Sequence, residues 1–163
     1  MAAAPADRSA VPVRTAVADD LPVLRRLFRR ASLSNPGDAP ALLAHPEALV
    51  LPDTEVLAGH SRVAVTPDGT VLGFATTLGA GPVRELEDLF VDPEHQGHGI
   101  GAELVADAAS RARQDGAARL EVTANPHASR FYGRVGFERD GEVATALGPG
   151  IRMHLDLTTI GRE

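Results

Sequence analysis

Three glycines stand at alternate positions, Gly97, Gly99 and Gly101, directly before a run with helical periodicity, "AELVADAASRARQDG". The first four N–H groups of a helix have no partner inside it, and the aligned peptide dipoles leave about half a positive charge at that end. Glycine lets the backbone approach an anion closely and adopt angles closed to other residues, so the stretch reads as a phosphate cradle. Formally, Gly97-x-Gly99-x-x-Ala102 also fits a dinucleotide-binding pattern, with the acidic Glu121 about 20 residues further on. Its surroundings argue against a nucleotide-dependent oxidoreductase. "DPEHQ" separates the glycines from the preceding strand, a meander comes before them, and too little chain follows to finish an alternating parallel sheet. His95 and His98 form H-x-x-H, but no helix carries the pair and no third ligand is evident, so no metal site is expected. His45, His60, His127 and His154 are scattered and read as surface or satisfied core residues.

The elements that must position this cradle follow from periodicity. Val11 to Val17 alternates as a strand and ends at the helix-capping Asp19 and Asp20, after which Leu21, Leu24, Leu27 and Phe28 share one helical face. "SNPGDAP" is a loop, and "ALLAHPEAL" is a short helical piece interrupted at Pro46. Three strands are predicted next, Val56 to Val65, Thr70 to Leu78 and Val83 to Val91, the first two joined by an Asp-Gly hairpin turn within "TPDGT". In the helix after the glycines, Leu104, Val105, Ala108 and Ala112 form the apolar face, and Gly116 supplies the stop. "ARLEVTA" reads as a buried strand, "PHASRFYGRV" as a short helix, and "GFERDGEV" and "IRMHLDL" as closing strands. A helix crossing from Val83–Val91 to Ala118–Ala124 implies a parallel pair. The fold class is α/β of an α+β-like kind: a mixed, mostly antiparallel sheet of about six to seven strands, flanked by about four helices, with that parallel pair around the central helix.

Composition sets the outer bounds. A chain of 163 residues suits one domain, expected over residues 11–160, and residues 1–10 read as a disordered lead without the basic start and apolar stretch of a secretory signal. No apolar run approaches the roughly 18 residues of a membrane span, so no membrane partner and a cytoplasmic location are expected. The absence of cysteine excludes disulfides, thiolate metal sites and a cysteine nucleophile. All 16 basic residues are arginine, yet no basic stripe with interleaved aromatics appears, so no nucleic-acid partner is expected. The net charge of -6 favours a cationic partner through long-range attraction.

Gln96-Gly97-His98-Gly99-Ile100-Gly101 resembles the Q/R-x-x-G-x-G/A signature of the GNAT superfamily of N-acetyltransferases, which binds the pyrophosphate of acetyl-CoA. "LEDLFVDPEH" is similar to that superfamily's central strand and loop. "NPHASRFYGRVGF" resembles its N-x-x-A-x-x-F-Y-x-x-x-G-F segment, filled by Asn125, Ala128, Phe131, Tyr132, Gly136 and Phe137. The resemblance is strong over residues 83–138, extends in element order over 11–157, and is thin over 30–60. It implies an acetyl-CoA-dependent enzyme that moves an acetyl group from the thioester to a primary amine of a small molecule or peptide, by direct attack in a ternary complex. A non-catalytic acyl-CoA sensor of the same fold is the alternative, and the resemblance also implies a possible homodimer.

Such a transfer needs a free amine, a polarised carbonyl and a protonated leaving thiolate. "ELED" offers Glu85, Glu87 and Asp88 as bases. Strand alternation puts Glu85 and Glu87 on one face and Asp88 on the other unless a bulge intervenes, and the resemblance selects Glu87. It further implies that Leu89, Phe90 and Val91 pair with the pantetheine arm, where a backbone N–H could meet the oxyanion. Tyr132, the sole tyrosine, is implied as the acid for the thiolate and as a coenzyme contact, although Ala128, Phe131 and Val135 make core packing an alternative for its helix. Asn125 before Pro126 reads as a helix cap, and the resemblance makes its amide a coenzyme ligand. His98 stands where the superfamily commonly has arginine or lysine. A protonated imidazole adds more to phosphate binding than a neutral one. Coenzyme A is therefore expected to bind more tightly at about pH 6 than at about pH 8, with calorimetry as the measurement and equal affinities as the outcome against it.

Overall fold

The computed structural model describes residues 11–158; the lead expected over 1–10 and the domain end at 159–160 lie outside the described residues. Among the described residues seven strands form one sheet in the order β1-β2-β3-β4-β5-β7-β6. In chain order they are β1 Val13–Thr15, β2 Ser61–Val65, β3 Val71–Leu78, β4 Val83–Val91, β5 Arg119–Ala124, β6 Glu138–Thr145 and β7 Gly148–Asp156. Every neighbouring pair is antiparallel except β4–β5, which is parallel as the crossover predicts. The helices are α1 Leu21–Leu33, α2 Ala39–Ala44, α3 Thr54–Leu57, α4 Ile100–Gln114 and α5 Ser129–Arg134. Among the described residues no helix is long and apolar enough to cross a membrane.

Two apolar layers hold the sheet between helices. On one face α1 lays Leu24 and Leu27 onto Val63 and Phe74, all four essentially inaccessible to water. On the other, α4 buries Leu104, Val105, Ala108 and Ala112 against Leu72, Leu86 and Leu120, and its alanines allow the helix to lie close to the strands. The predicted caps act differently from expectation. Asp20 makes no side-chain cap for α1; its carboxylate accepts from Val17 N–H at 2.7 Å and from both terminal nitrogens of Arg14.

Two strand predictions are corrected. Residues 56–60 are not part of β2: α3 takes Val56 and Leu57, buries Val56 in the α1 layer, and ends at Gly59 with a left-handed φ of 83°. A single helical turn satisfies its own backbone there, and the helix count rises from about four to five. The second correction concerns β4. Asp88 pairs with Thr76 but Leu86 pairs with Thr77, leaving Glu87 as an extra residue in a bulge. Leu86, Leu89 and Val91 consequently meet the α4 layer while Phe90 meets the α1 layer, a switch of face that strict alternation forbids.

Leu104 is wholly buried between α4 and the sheet. Leu104→Ala is expected to lower stability by about 3 kcal/mol, read as a lower urea midpoint at unchanged slope.

Candidate active site

The parallel pair is short. Val83, Arg84 and Glu85 face Arg119, Leu120 and Glu121, and there the pairing stops, although β5 continues to Ala124 on its other partner β7. Beyond Glu85 the strands splay, so β4 from Leu86 to Val91 has β3 on one side and no ladder partner on the other. A loop, Asp92 to Gly99, turns from the end of β4 into α4. The open strand edge and the start of α4 thus bound the same space.

The three glycines have different jobs there. Gly97 and Gly99 hold φ of 84° and 82°, left-handed angles that a side chain resists, with open space where a Cβ would stand. Gly99 is the residue before the first turn of α4, and Glu103 N–H returns to its carbonyl at 3.0 Å. Gly101 lies inside that turn, where an added Cβ would come within 3.2 Å of the Phe131 ring, so its role is the close approach of α5. The N–H groups of the first turn remain free to meet an anion.

A cleft of about 590 Å³ follows, lined by Leu89, Val91, Gln96, Gly97, Gly99, Ile100, Gly101 and Tyr132 among others. A second, of about 610 Å³, shares Leu89, Val91 and Gln96 with it and adds Asp88, Phe90 and Asn125. Of the candidate bases and coenzyme-contact residues, all but Glu85, Glu87 and His98 line one or both; Glu85 is instead paired with Arg152 at 2.8 Å. His98 is exposed, and its Nδ1 lies 3.1 Å from the carbonyls of His95 and Gln96; since carbonyls only accept, Nδ1 carries the hydrogen and Nε2 is left for other partners. Glu87, exposed on the bulge, faces neither large cleft but a smaller cavity of about 270 Å³ on the α1 side, shared with Glu55, Asp88, Ser61 and Thr76.

Asp88 therefore stands between the cavities. Burial pushes its carboxyl up to about 6; Thr76, its direct cross-strand partner, opposes the rise, while Glu87 and Glu55 add to it. Tyr132 is buried, with its ring edge-on to Phe131 at 5.1 Å and to Phe137 at 5.2 Å, so it belongs to the core and to the cleft at once. Burial, then the Asp88 charge, pushes its phenol well above its ordinary value and keeps the proton on oxygen throughout the working range. Asn125 occupies the capping position before Pro126, but its side chain makes no capping bond, contrary to the cap expectation. Asn125 instead lines the second cleft.

Sequence reasoning passed over the pin beneath the loop. Asp92 accepts from Glu94 N–H at 3.0 Å and from Arg30 of α1. Burial alone would raise its carboxyl, yet Glu94 N–H and Arg30 hold it below the ordinary range. The aspartate before Pro93 was the available signal; its partner lies 62 residues earlier and no local pattern points to it.

Comparison with known proteins agrees with this arrangement. A family described as "Acetyltransferase (GNAT) domain" matches residues 52–155. The chain belongs to the GNAT acetyltransferase family. It is 44% identical over 80 residues to a streptothricin acetyltransferase of Streptomyces lavendulae, covering 46% of this chain and 42% of that protein. It is 39% identical over 93 residues to the N-alpha-acetyltransferase RimI of Mycobacterium tuberculosis, covering 53% and 58%. The chain thus spans about half the length of the curated relatives it matches. Among solved structures, the PaiA N-acetyltransferase of Thermoplasma acidophilum in complex with coenzyme A superposes with a TM-score of 0.71 at 17% identity, over 91% of this chain and 99% of that one. That likeness concerns the fold.

The raised carboxyl of Asp88 has a consequence for stability. Its folded value of about 6 lies above the ordinary 3.8, so the folded state favours the protonated form, and stability falls as pH rises through that window. Asp88→Asn, neutral at every pH, is expected to raise the thermal midpoint at about pH 7.5 and to leave it nearly unchanged at about pH 4. Equal effects at the two pH values, by scanning calorimetry, would contradict the buried-charge assignment.

Proposed function

We propose that this protein is an acetyl-CoA-dependent N-acetyltransferase of a small-molecule or peptide amine, working by direct attack in a ternary complex. The observation that carries the reading is the splayed edge of β4 opening onto the glycine-bounded start of α4, with Asp88 and Tyr132 beside it. The residues fit the co-substrate. N–H groups from Gly97 to Gly101 would hold the diphosphate, with Gln96 and His98 at its rim, and the unpaired edge of Leu89, Phe90 and Val91 would run beside the pantetheine arm. The Asn125 amide would add a polar contact. Acetyl-CoA supplies the acetyl group as an activated thioester.

The remaining chemistry belongs to the chain. An acceptor amine arrives as an ammonium and must lose a proton before its nitrogen can bond to the carbonyl carbon. Two neighbouring carboxylates on the bulge serve as the base. Glu87, exposed, meets the incoming cation, and Asp88, its affinity for protons raised to about 6, accepts the proton at a value suited to neutral pH. A backbone N–H of the Leu89–Val91 edge donates to the oxygen that gains charge. As the carbon–sulfur bond breaks, the Tyr132 hydroxyl, protonated at neutral pH as a donor must be, gives its proton to the sulfur, and the second proton of the attacking nitrogen passes to the oxygen it leaves, restoring the phenol. A cytoplasmic setting is part of the proposal. So is a homodimer, for which the open edge of β6, with Val143 and Leu147 exposed, is the supporting surface.

Thiol release from acetyl-CoA across an amine panel tests the reading. Turnover with at least one amine is expected, with kcat lowered about a hundredfold in Tyr132→Phe and in Asp88→Asn. Coenzyme A binding without thiol release from any amine would leave a sensor in place of an enzyme.

A further inference from the structure

Where α1 packs on the sheet, Val63, Phe74 and Phe90 make an apolar floor, and a line of polar side chains crosses its edge. Ser61 on β2, Thr76 on β3 and Asp88 on β4 are consecutive cross-strand partners, Ser61 opposite Thr76 and Thr76 opposite Asp88. Ser61 and Thr76 are each 1% exposed, and their hydroxyl oxygens lie 2.7 Å apart. Their neighbours include Phe28, Leu51 and Val56 around the small cavity. Buried hydroxyls with no role are penalised, since apolar residues of the same shape would fill the space without desolvating anything.

The donor directions follow from the chemistry. An ionised carboxylate only accepts, so toward its cross-strand partner Asp88 the Thr76 hydroxyl can act only as a donor, and its oxygen then accepts from Ser61. Ser61 thereby decides which way the Thr76 hydroxyl points. Reversal of the line, with Thr76 donating to Ser61, fits only an Asp88 that carries a proton.

We propose that Thr76, backed by Ser61, is a positioning residue for proton removal: its hydroxyl holds the Asp88 carboxylate in the accepting state and aims it along the bulge. This rests on Asp88 being part of the base proposed above. The ionisable groups facing Asp88 are Glu87 on its own strand, Glu55 on α3 and Tyr132 on α5. The two carboxylates raise its proton affinity, and Thr76 works against them. Removing the hydroxyl therefore shifts Asp88 further upward, and amine acetylation should lose its rate at a higher pH than in the parent protein.

The test follows kcat/KM for thiol release from about pH 5 to 9, together with titration of the Asp88 carboxyl carbon by NMR, which requires no turnover. Thr76→Val is expected to move both the acidic limb and the titration midpoint up by about one unit, while Thr76→Ser, which keeps the hydroxyl, retains the parent profile. Ser61→Ala alone should give a smaller shift of the same sign. If Thr76→Val does not fold, Ser61→Ala/Thr76→Val, which leaves no orphan hydroxyl, carries the same expectation. A carboxyl titration and rate profile that superpose on the parent's in these variants would overturn the role of Thr76 and leave acetyl transfer standing. A parent protein that releases no thiol with any amine, yet shows the carboxyl shift in Thr76→Val, would overturn acetyl transfer and keep the hydroxyl line as a tuner of Asp88 alone.

Discussion

Two parallel strands that pair for three residues and then part impose the constraint on which the site depends. Past Glu85, β5 follows β7 and β4 follows β3, so one edge of β4 keeps its amide groups without a strand to satisfy them. Backbone groups in that condition must meet water or a ligand, because leaving them dry and unpaired is penalised. The chain leaves β4 at its carboxyl end and, after the loop Asp92 to Gly99, enters α4, which brings a second set of unpaired amides, those of the first helical turn, to the same opening. Ligands in open α/β sheets gather outside the carboxyl ends of strands where neighbouring strands diverge, and the reason is visible here in donors that the fold itself cannot use. Arg30 and Asp92 keep that opening in place by tying its floor to α1.

The bulge at Glu87 performs a second task with one residue. By shifting register between Thr76 and Thr77 it lets Leu86, Leu89 and Val91 serve one apolar layer while Phe90 serves the other, where it meets Phe28 edge-on at 4.9 Å and Phe74 stacked at 5.7 Å. The same shift delivers Asp88 to a partly dry position beside that aromatic wall. A carboxylate there destabilises the folded chain at neutral pH, since the ionised form is the one burial disfavours. Retaining it is the kind of local violation that functional sites show, offset by the well-packed layers on either side of the sheet.

Much of this was legible in the residues, for identifiable reasons. The amphipathic runs of α1 and α4, the Asp-Gly turn and the crossover between β4 and β5 depend on local chemistry or chain connectivity, and the structure reproduces them. The glycines read as an anion cradle, but nothing local separated the left-handed Gly97 and Gly99 from Gly101, whose constraint comes from Phe131 some 30 residues later. The bulge was not legible, because it is a relation between β4 and β3 and strand periodicity alone favours continuing the alternation. Residues 56–60 were misread for a similar reason: Val56 suits a strand by type, and its helical turn is settled by burial against α1. Asn125 misled in the opposite direction, since a good capping residue in the capping position leaves its side chain uncommitted.

The division between what local pattern reveals and what it hides also separates the two halves of the site. The face toward α4 is built from backbone amides and glycines, so a diphosphate or an extended arm would meet the same donors whatever side chains lie nearby. The face toward α1, α2 and α3 is built from side chains: Glu55, Glu87 and Asp88 around Phe28, and an Asp38–His127 contact of 2.7 Å that spans the second cleft. Backbone donors are indifferent to substitution, whereas a cavity walled by carboxylates and one aromatic ring changes its preference with each residue replaced. Recognition of a partner with one fixed chemistry therefore belongs to the first half. Selectivity between partners belongs to the second, where side chains make the lining and three carboxylates in a small space favour a cation.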